Sequence, residues 1–313
     1  MRLGFLYAGQ GSQRPGMGAD LYEAYPAFRA VLDSGAAELD LKKLCFADSG
    51  GLLDQTRYTQ PCMVAFAAGV TAVLRERGIA PSAAAGLSLG EYSALHAAGV
   101  FDAQTAIRTA AFRGQAMERA AQGIESAMVA VLGLDRASLE AACREARGMA
   151  VIANYNCPGQ LVLGGERAAV ERAAALAREK GARRCLPLNV SGPFHTPLMA
   201  SAGRELEEYL RTVPLAEPAI PVIFNCLGGT GPEGADIREL LVRQVQSSVY
   251  MEDSIRAMAG LGVDAVVEIG PGRALSGFVR RTVPAMPVYA VETVPDVESL
   301  PAWLEGLEKE KKS

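Results

Sequence analysis

The chain has 313 residues, enough for one large domain with a smaller insert, and its half-hydrophobic, 21% charged composition is that of a soluble globular protein. A net charge of −4 excludes a nucleic-acid binder, which needs clustered Lys and Arg, and no stretch approaches the ~18 apolar residues of a membrane span. Six scattered cysteines without a C-x-x-C pair point to a reducing compartment, the cytoplasm, and with only two histidines, His96 and His195, and no close ligand spacing a Cys/His zinc cluster is not expected.

In chain order, residues 3–8 read as a first strand rather than a signal peptide. A buried helix over 60–77, a strand over 82–87 and helices over 89–98 and 103–120 follow. Strands over 127–132, 150–155, 160–163 and 184–189 enclose helices over 137–147 and 167–180, with a turn at Asn156-Cys157-Pro158-Gly159. Later strands fall at 220–225, 265–269 and 288–291, and the charged tail 308–313 reads as frayed. Strands alternating with helices imply an α/β fold with a mostly parallel sheet covered on both faces. The order β-α-β-β-α-β over 125–190 is the ferredoxin-like unit, expected as a small subdomain inserted between 1–124 and 191–313.

The sharpest motif is Gly86-Leu87-Ser88-Leu89-Gly90, a G-x-S-x-G between a predicted strand and a predicted helix. Such a turn strains its middle residue and exposes the side chain, here Ser88, at the sheet's C-terminal edge. The helix N-terminus brings unpaired N–H groups, that of Leu89 among them, to where an oxyanion would form.

A serine nucleophile needs a base. His96 lies eight residues on, ~12 Å along the same helix and out of reach. His195 sits in Ser191-Gly192-Pro193-Phe194-His195-Thr196-Pro197, a proline-stiffened loop able to aim an imidazole. Between Ser88 and His195 the only aspartates, Asp102 and Asp135, stand at helix starts and read as caps. A backbone carbonyl can orient the ring instead, giving a dyad. The segment 9–14 nearly spells G-x-G-x-x-G, but Arg14 holds the last glycine position and NAD binding is rejected.

Three more segments join these: Gly9-Gln10-Gly11-Ser12-Gln13 after the first strand, Ala111-Phe112-Arg113-Gly114-Gln115-Ala116-Met117, and Glu268-Ile269-Gly270-Pro271-Gly272 after a late strand. With GLSLGEYSAL and SGPFHTPLM, collinear from residue 3 to about 280, the chain resembles the malonyl-CoA:acyl carrier protein transacylase family. The resemblance implies an α/β-hydrolase-like large domain with a ferredoxin-like small one. It implies Ser88 as nucleophile, His195 as base oriented by the Gln244 carbonyl, and an oxyanion hole of the Gln10 and Leu89 N–H groups. It places Arg113 on the malonyl carboxylate, Phe194 against any added α-methyl group, and Asn154, Asn156 and Gln160 near the pantetheine and acyl pocket.

It further implies ping-pong transfer of a malonyl group from malonyl-CoA to the pantetheine thiol of an acyl carrier protein, in fatty acid biosynthesis, with no metal or other cofactor; a monomer is the working assumption, since no motif encodes the oligomeric state. An Arg is the fitting residue for a buried carboxylate, since its fork gives two parallel charge-assisted bonds. Carrier proteins of this kind are acidic, so docking calls for a basic patch; Lys180, Arg183 and Arg184, or Arg280 and Arg281, are the candidates. Three positions depart from the family pattern: Leu87 where His is common, Ala8 where Pro is common, and Ser247-Ser248-Val249-Tyr250-Met251 where Pro and Trp recur. A polyketide acyltransferase acting in trans and a serine hydrolase remain the alternative readings, with a non-catalytic carrier-binding module behind them.

Overall fold

Runs of consecutive buried residues, rather than alternating ones, form the central strands, as expected where both faces of a sheet are covered. The computed structural model describes residues 1–35 and 39–312. Its strands are β1 (Leu3–Tyr7), β2 (Ala83–Gly86), β3 (Ser126–Leu132), β4 (Ala150–Cys157), β5 (Gln160–Glu166), β6 (Arg184–Pro187), β7 (Ile223–Phe224), β8 (Gly229–Thr230), β9 (Val249–Tyr250), β10 (Ala265–Ile269) and β11 (Val288–Val291).

Strands β11, β10, β1 and β2 pair in that order, all parallel. Tyr7 lies opposite both Gly86 and Ile269, so β1, β2 and β10 end level. The segments leaving them, 8–10, 87–89 and 270–272, emerge side by side at the carboxyl edge, where ligand clefts of parallel sheets form. Helix Gly90–Ala97 packs on β1 and β2, and the helices Thr56–Glu76 and Ala103–Ala121 pack on each other beside it.

Strands β3 to β6 form a second sheet in the order β6-β3-β5-β4, antiparallel throughout, the strand order of a ferredoxin-like unit. Helices Arg136–Glu145 and Arg167–Glu179 cover one face, and Val129, Val131, Leu161, Leu163 and Cys185 build a hydrophobic cluster with them, separate from the main core. This sheet takes a fifth strand from outside the 125–190 segment. Two residues of the segment that departs from the family pattern, Val249–Tyr250, run parallel to β4, and Tyr250 stacks on Tyr155 with ring centroids 4.9 Å apart.

Two sequence expectations change. The strand expected over 220–225 shrinks to the two residues of β7, hairpinned to β8, with one bridge from Val222 to Ala84. Pro221 has no N–H to give a ladder, and the N–H of Asn225 goes to the Glu91 carboxylate. The tail expected to fray is helical as part of Val294–Lys312, seated against β11; Ser313 lies outside the described residues.

Candidate active site

Between β2 and the helix Gly90–Ala97, Ser88 has φ +51°, a conformation rare for a residue with a side chain. Its flanking glycines make the turn possible sterically. A Cβ on Gly86 would overlap the carbonyl of Gly90, and one on Gly90 would overlap the carbonyl oxygen of Tyr7. Side chains from distant segments then tie the strained residue down. The Ser88 N–H donates to Asn225 Oδ1 at 2.5 Å, and Asn225 Nδ2 donates to the Gly86 carbonyl at 2.7 Å. Gln244 Nε2 donates to the Ser88 carbonyl at 2.8 Å. Asn225 is fixed in turn by its own N–H, which donates to Glu91 at 2.6 Å. Burial pushes the Glu91 carboxyl up to about 7, with the Asn225 bond, Gln244 and the charge of Arg113 pulling it partway back.

His195 comes to Ser88 from the loop after β6. Its Nε2 lies 2.6 Å from Ser88 Oγ, and its Nδ1 lies 2.9 Å from the carbonyl oxygen of Gln244. A carbonyl only accepts, so Nδ1 carries the proton and Nε2 presents its lone pair to the hydroxyl. Asp102 and Asp135 are helix caps, accepting from the N–H groups of Thr105 and Ser138. His96 is buried against the Phe101 carbonyl at 3.1 Å, away from the cleft.

Burial first, and then the charge of Arg113, lower the His195 pKa from 6.5 to about 4. Both effects penalise the imidazolium, so the ring is the free base at neutral pH. The acid limb of kcat/KM, which reports the free enzyme, should therefore fall at about pH 4 rather than at the ordinary imidazole value. A pH–rate profile with its acid half-point at or above 6.5 would contradict this electrostatic account.

Arg113 is 1% exposed, on the helix Ala103–Ala121, yet its acceptors are all neutral. Nη1 donates to Gln60 Oε1 at 2.9 Å; Nη2 donates to Gln244 Oε1 at 2.9 Å and to Ser88 Oγ at 3.2 Å. Its guanidinium lies 5.3 Å from the ring centroid of Tyr92. Among the described residues no carboxylate pairs with it; the buried Glu91 carboxyl, close enough to feel its charge, bonds to Asn225 instead. A buried cation with no anion in direct contact is expensive to maintain. The cavity beside it, about 450 Å³, is lined by Ser88, His195, Arg113, Gln60 and Phe194 among others.

The remaining sequence candidates divide. Gln10 lines the same cavity, its side chain donating to Thr56 Oγ1 at 3.0 Å. Leu89 is buried directly after Ser88, at the foot of the helix Gly90–Ala97. Asn154 and Asn156 line the cavity, and Asn156 Oδ1 is buried without a partner among the described residues. Gln160 is not brought to the cavity wall; its Oε1 accepts from Arg281 at 2.9 Å. Asn225, Glu91 and Gln60 went unread in the sequence. They act through single tertiary hydrogen bonds, and only the helical neighbourhood of Glu91 with Ser88 gave a local signal for any of them.

An acyl transferase domain model matches residues 4–311 of the chain. The chain is 39% identical to a malonyl CoA-acyl carrier protein transacylase of Bacillus subtilis, over 99% of this chain and 98% of that protein. The crystal structure of a malonyl CoA-acyl carrier protein transacylase from Clostridium perfringens superposes with a TM-score of 0.96, at 35% identity and full coverage of both chains. A malonyl-transacylase solved in complex with its type II polyketide synthase acyl carrier protein superposes with a TM-score of 0.92, at 36% identity over 96% of this chain and 98% of that one.

Proposed function

The chain belongs to the acyl transferase domain family, and from that premise we propose that it moves a malonyl group from malonyl-CoA to the pantetheine thiol of an acyl carrier protein. The observation that carries this reading is the buried Arg113, held by neutral acceptors and sharing the nucleophile's hydroxyl with His195. A hydrolase of simple esters has no use for a desolvated cation at that point. A malonyl group brings the missing anion.

The chemistry follows from the positions. With the malonyl carboxylate on Arg113, the Ser88 proton passes to His195 Nε2 as Oγ attacks the thioester carbonyl. The oxyanion is taken by the N–H groups of Gln10 and Leu89. The C–S bond then breaks, and the coenzyme A thiolate takes the proton back from Nε2. In the second half the carrier's thiol gives its proton to His195 and attacks the malonyl-serine ester, and Ser88 leaves with that proton restored. The Gln244 carbonyl steadies the imidazolium formed in each half, and Asn225 holds the turn on which Oγ swings. Every step uses this chain's own side chains and backbone N–H groups, with a thioester as acyl donor and a thiol as acceptor.

The same reading divides the chain into a catalytic unit of 1–124 and 191–313 and a small unit of 125–190, supported by the two hydrophobic clusters. No helix among the described residues is long and apolar enough to cross a membrane, and a cytoplasmic enzyme of fatty acid synthesis fits the six unpaired cysteines. Service to a polyketide carrier is the second reading, favoured by the likeness to a transacylase solved with such a partner.

Mixing the protein with malonyl-CoA should add one malonyl group to the intact mass, and a carrier bearing pantetheine should discharge it. Release of free malonate at the same rate with and without the carrier would show a hydrolase instead.

A further inference from the structure

The small sheet has two unlike faces. Its helix side is closed by the cluster that includes Val129, Val131 and Cys185. Alternation along the strands sends Ala130 and Leu132 of β3, and Arg184 and Leu186 of β6, to the other side. The register aligns them, with Leu186 opposite Ala130 and Arg184 opposite Leu132. Ala130 and Leu132 are half-buried, while Leu186 is 46% exposed on β6, an edge strand. The chain continues past β6 with Leu188 at 38% and Val190 at 40% exposure. Among the described residues, only Met1 joins these three as an exposed large hydrophobic residue.

Leu188 and Val190 also line the cavity that holds Ser88 and His195, with Met128 and Val162 of the same sheet. The Leu188 N–H donates to the Met128 carbonyl at 2.9 Å, fixing the strip to the sheet. Exposed apolar residues thus lead from the cavity, at Val190 and Leu188, out along the strip to Leu186 on the edge strand, with the polar Asn189 between the first two. Such a bare edge is an invitation to association unless it has a purpose.

At its outer end stand Arg183 and Arg184, exposed and without an ion pair among the described residues. Of the other candidate cations, Lys180 pairs with Glu145 at 2.9 Å and Arg281 donates to Gln160 at 2.9 Å; Arg280 is exposed too, but its chain neighbours include none of the exposed large hydrophobic residues. Free cations next to bare leucines, leading to the nucleophile, match a partner that is acidic, offers an apolar patch and must deliver a tethered thiol.

We propose that the edge formed by Arg183, Arg184, Leu186, Leu188 and Val190 is the docking surface for the acidic carrier protein. Its carboxylates meet the two arginines, its apolar contact rests on Leu186 and Leu188, and its pantetheine arm passes Val190 to reach Ser88. This rests on the transacylase reading above and adds where the second substrate binds.

The test separates the two half-reactions in Leu186→Asp and Arg184→Glu, both outside the catalytic cavity. Loading of Ser88 from malonyl-CoA is followed by rapid-quench intact mass, and discharge is followed to carrier protein and, separately, to free pantetheine. Loading and discharge to free pantetheine should match the wild type, which also shows that each variant is folded. The kcat/KM for carrier protein should fall about tenfold or more in each, and its enhancement at low salt should vanish in Arg184→Glu. Unchanged discharge to the carrier overturns the proposal. So does an equal loss of loading, which would assign the surface to coenzyme A. A wild-type protein that never acquires the malonyl group would instead sink the transacylase reading itself.

Discussion

Ser88→Ala abolishes the malonyl adduct and lowers turnover by a factor on the order of 10⁵ to 10⁶, the loss found when a catalytic nucleophile is removed from a serine-histidine unit. His195→Ala falls nearly as far, and the double variant falls no further than either single one. The reason is mechanical. The 2.6 Å contact between Oγ and Nε2 makes attack and proton removal one event, so losing either partner loses both. Intact-mass spectrometry after malonyl-CoA addition, with steady-state rates for the three variants, is the measurement. An adduct surviving in Ser88→Ala, or losses that multiply in the double variant, would break the link between these two residues.

Arg113→Ala loses malonyl preference rather than acyl transfer as such. Removing one partner of a buried, hydrogen-bonded charge pair costs about 3–5 kcal/mol, which at 1.4 kcal/mol per decade is a drop on the order of 10² to 10³ or more in the malonyl-to-acetyl ratio of kcat/KM. Arg113→Lys does not restore it, because an ammonium cannot span Gln60, Gln244 and an incoming carboxylate as the planar fork does. The same change moves the acid limb. The arginine's charge helps hold the His195 imidazolium down, so its loss raises that pKa and shifts the limb to higher pH. Selectivity assays with malonyl- and acetyl-CoA across pH test both effects; an unchanged ratio removes Arg113 from substrate recognition.

Ser88 was legible because strand, tight turn and helix are neighbours in the chain, and the glycines that permit the turn carry their own signature. His195 was legible by scarcity, with one competitor placed too far along a helix. The ferredoxin-like order was legible because its elements follow one another and its strands pair locally. Asn225 was not: it is 137 residues from the N–H it accepts, in a segment that reads as a strand until Pro221 and the Glu91 carboxylate take its ladder bonds. The helices Ala200–Leu210, Ile237–Gln246, Met251–Gly260 and Ala274–Thr282 were also passed over, being short, amphipathic and mixed with charge. Strand β9 is two residues long, and nothing local distinguishes two residues as a strand.

That short strand couples two parts of the machine. Gln244, whose carbonyl steers the imidazole, stands five residues ahead of Val249, and Ser248 Oγ grips the Ile152 carbonyl at 2.7 Å. The small sheet therefore holds one end of a leash whose other end sets the base. A displacement of that sheet would be passed along this stretch of backbone to the imidazole.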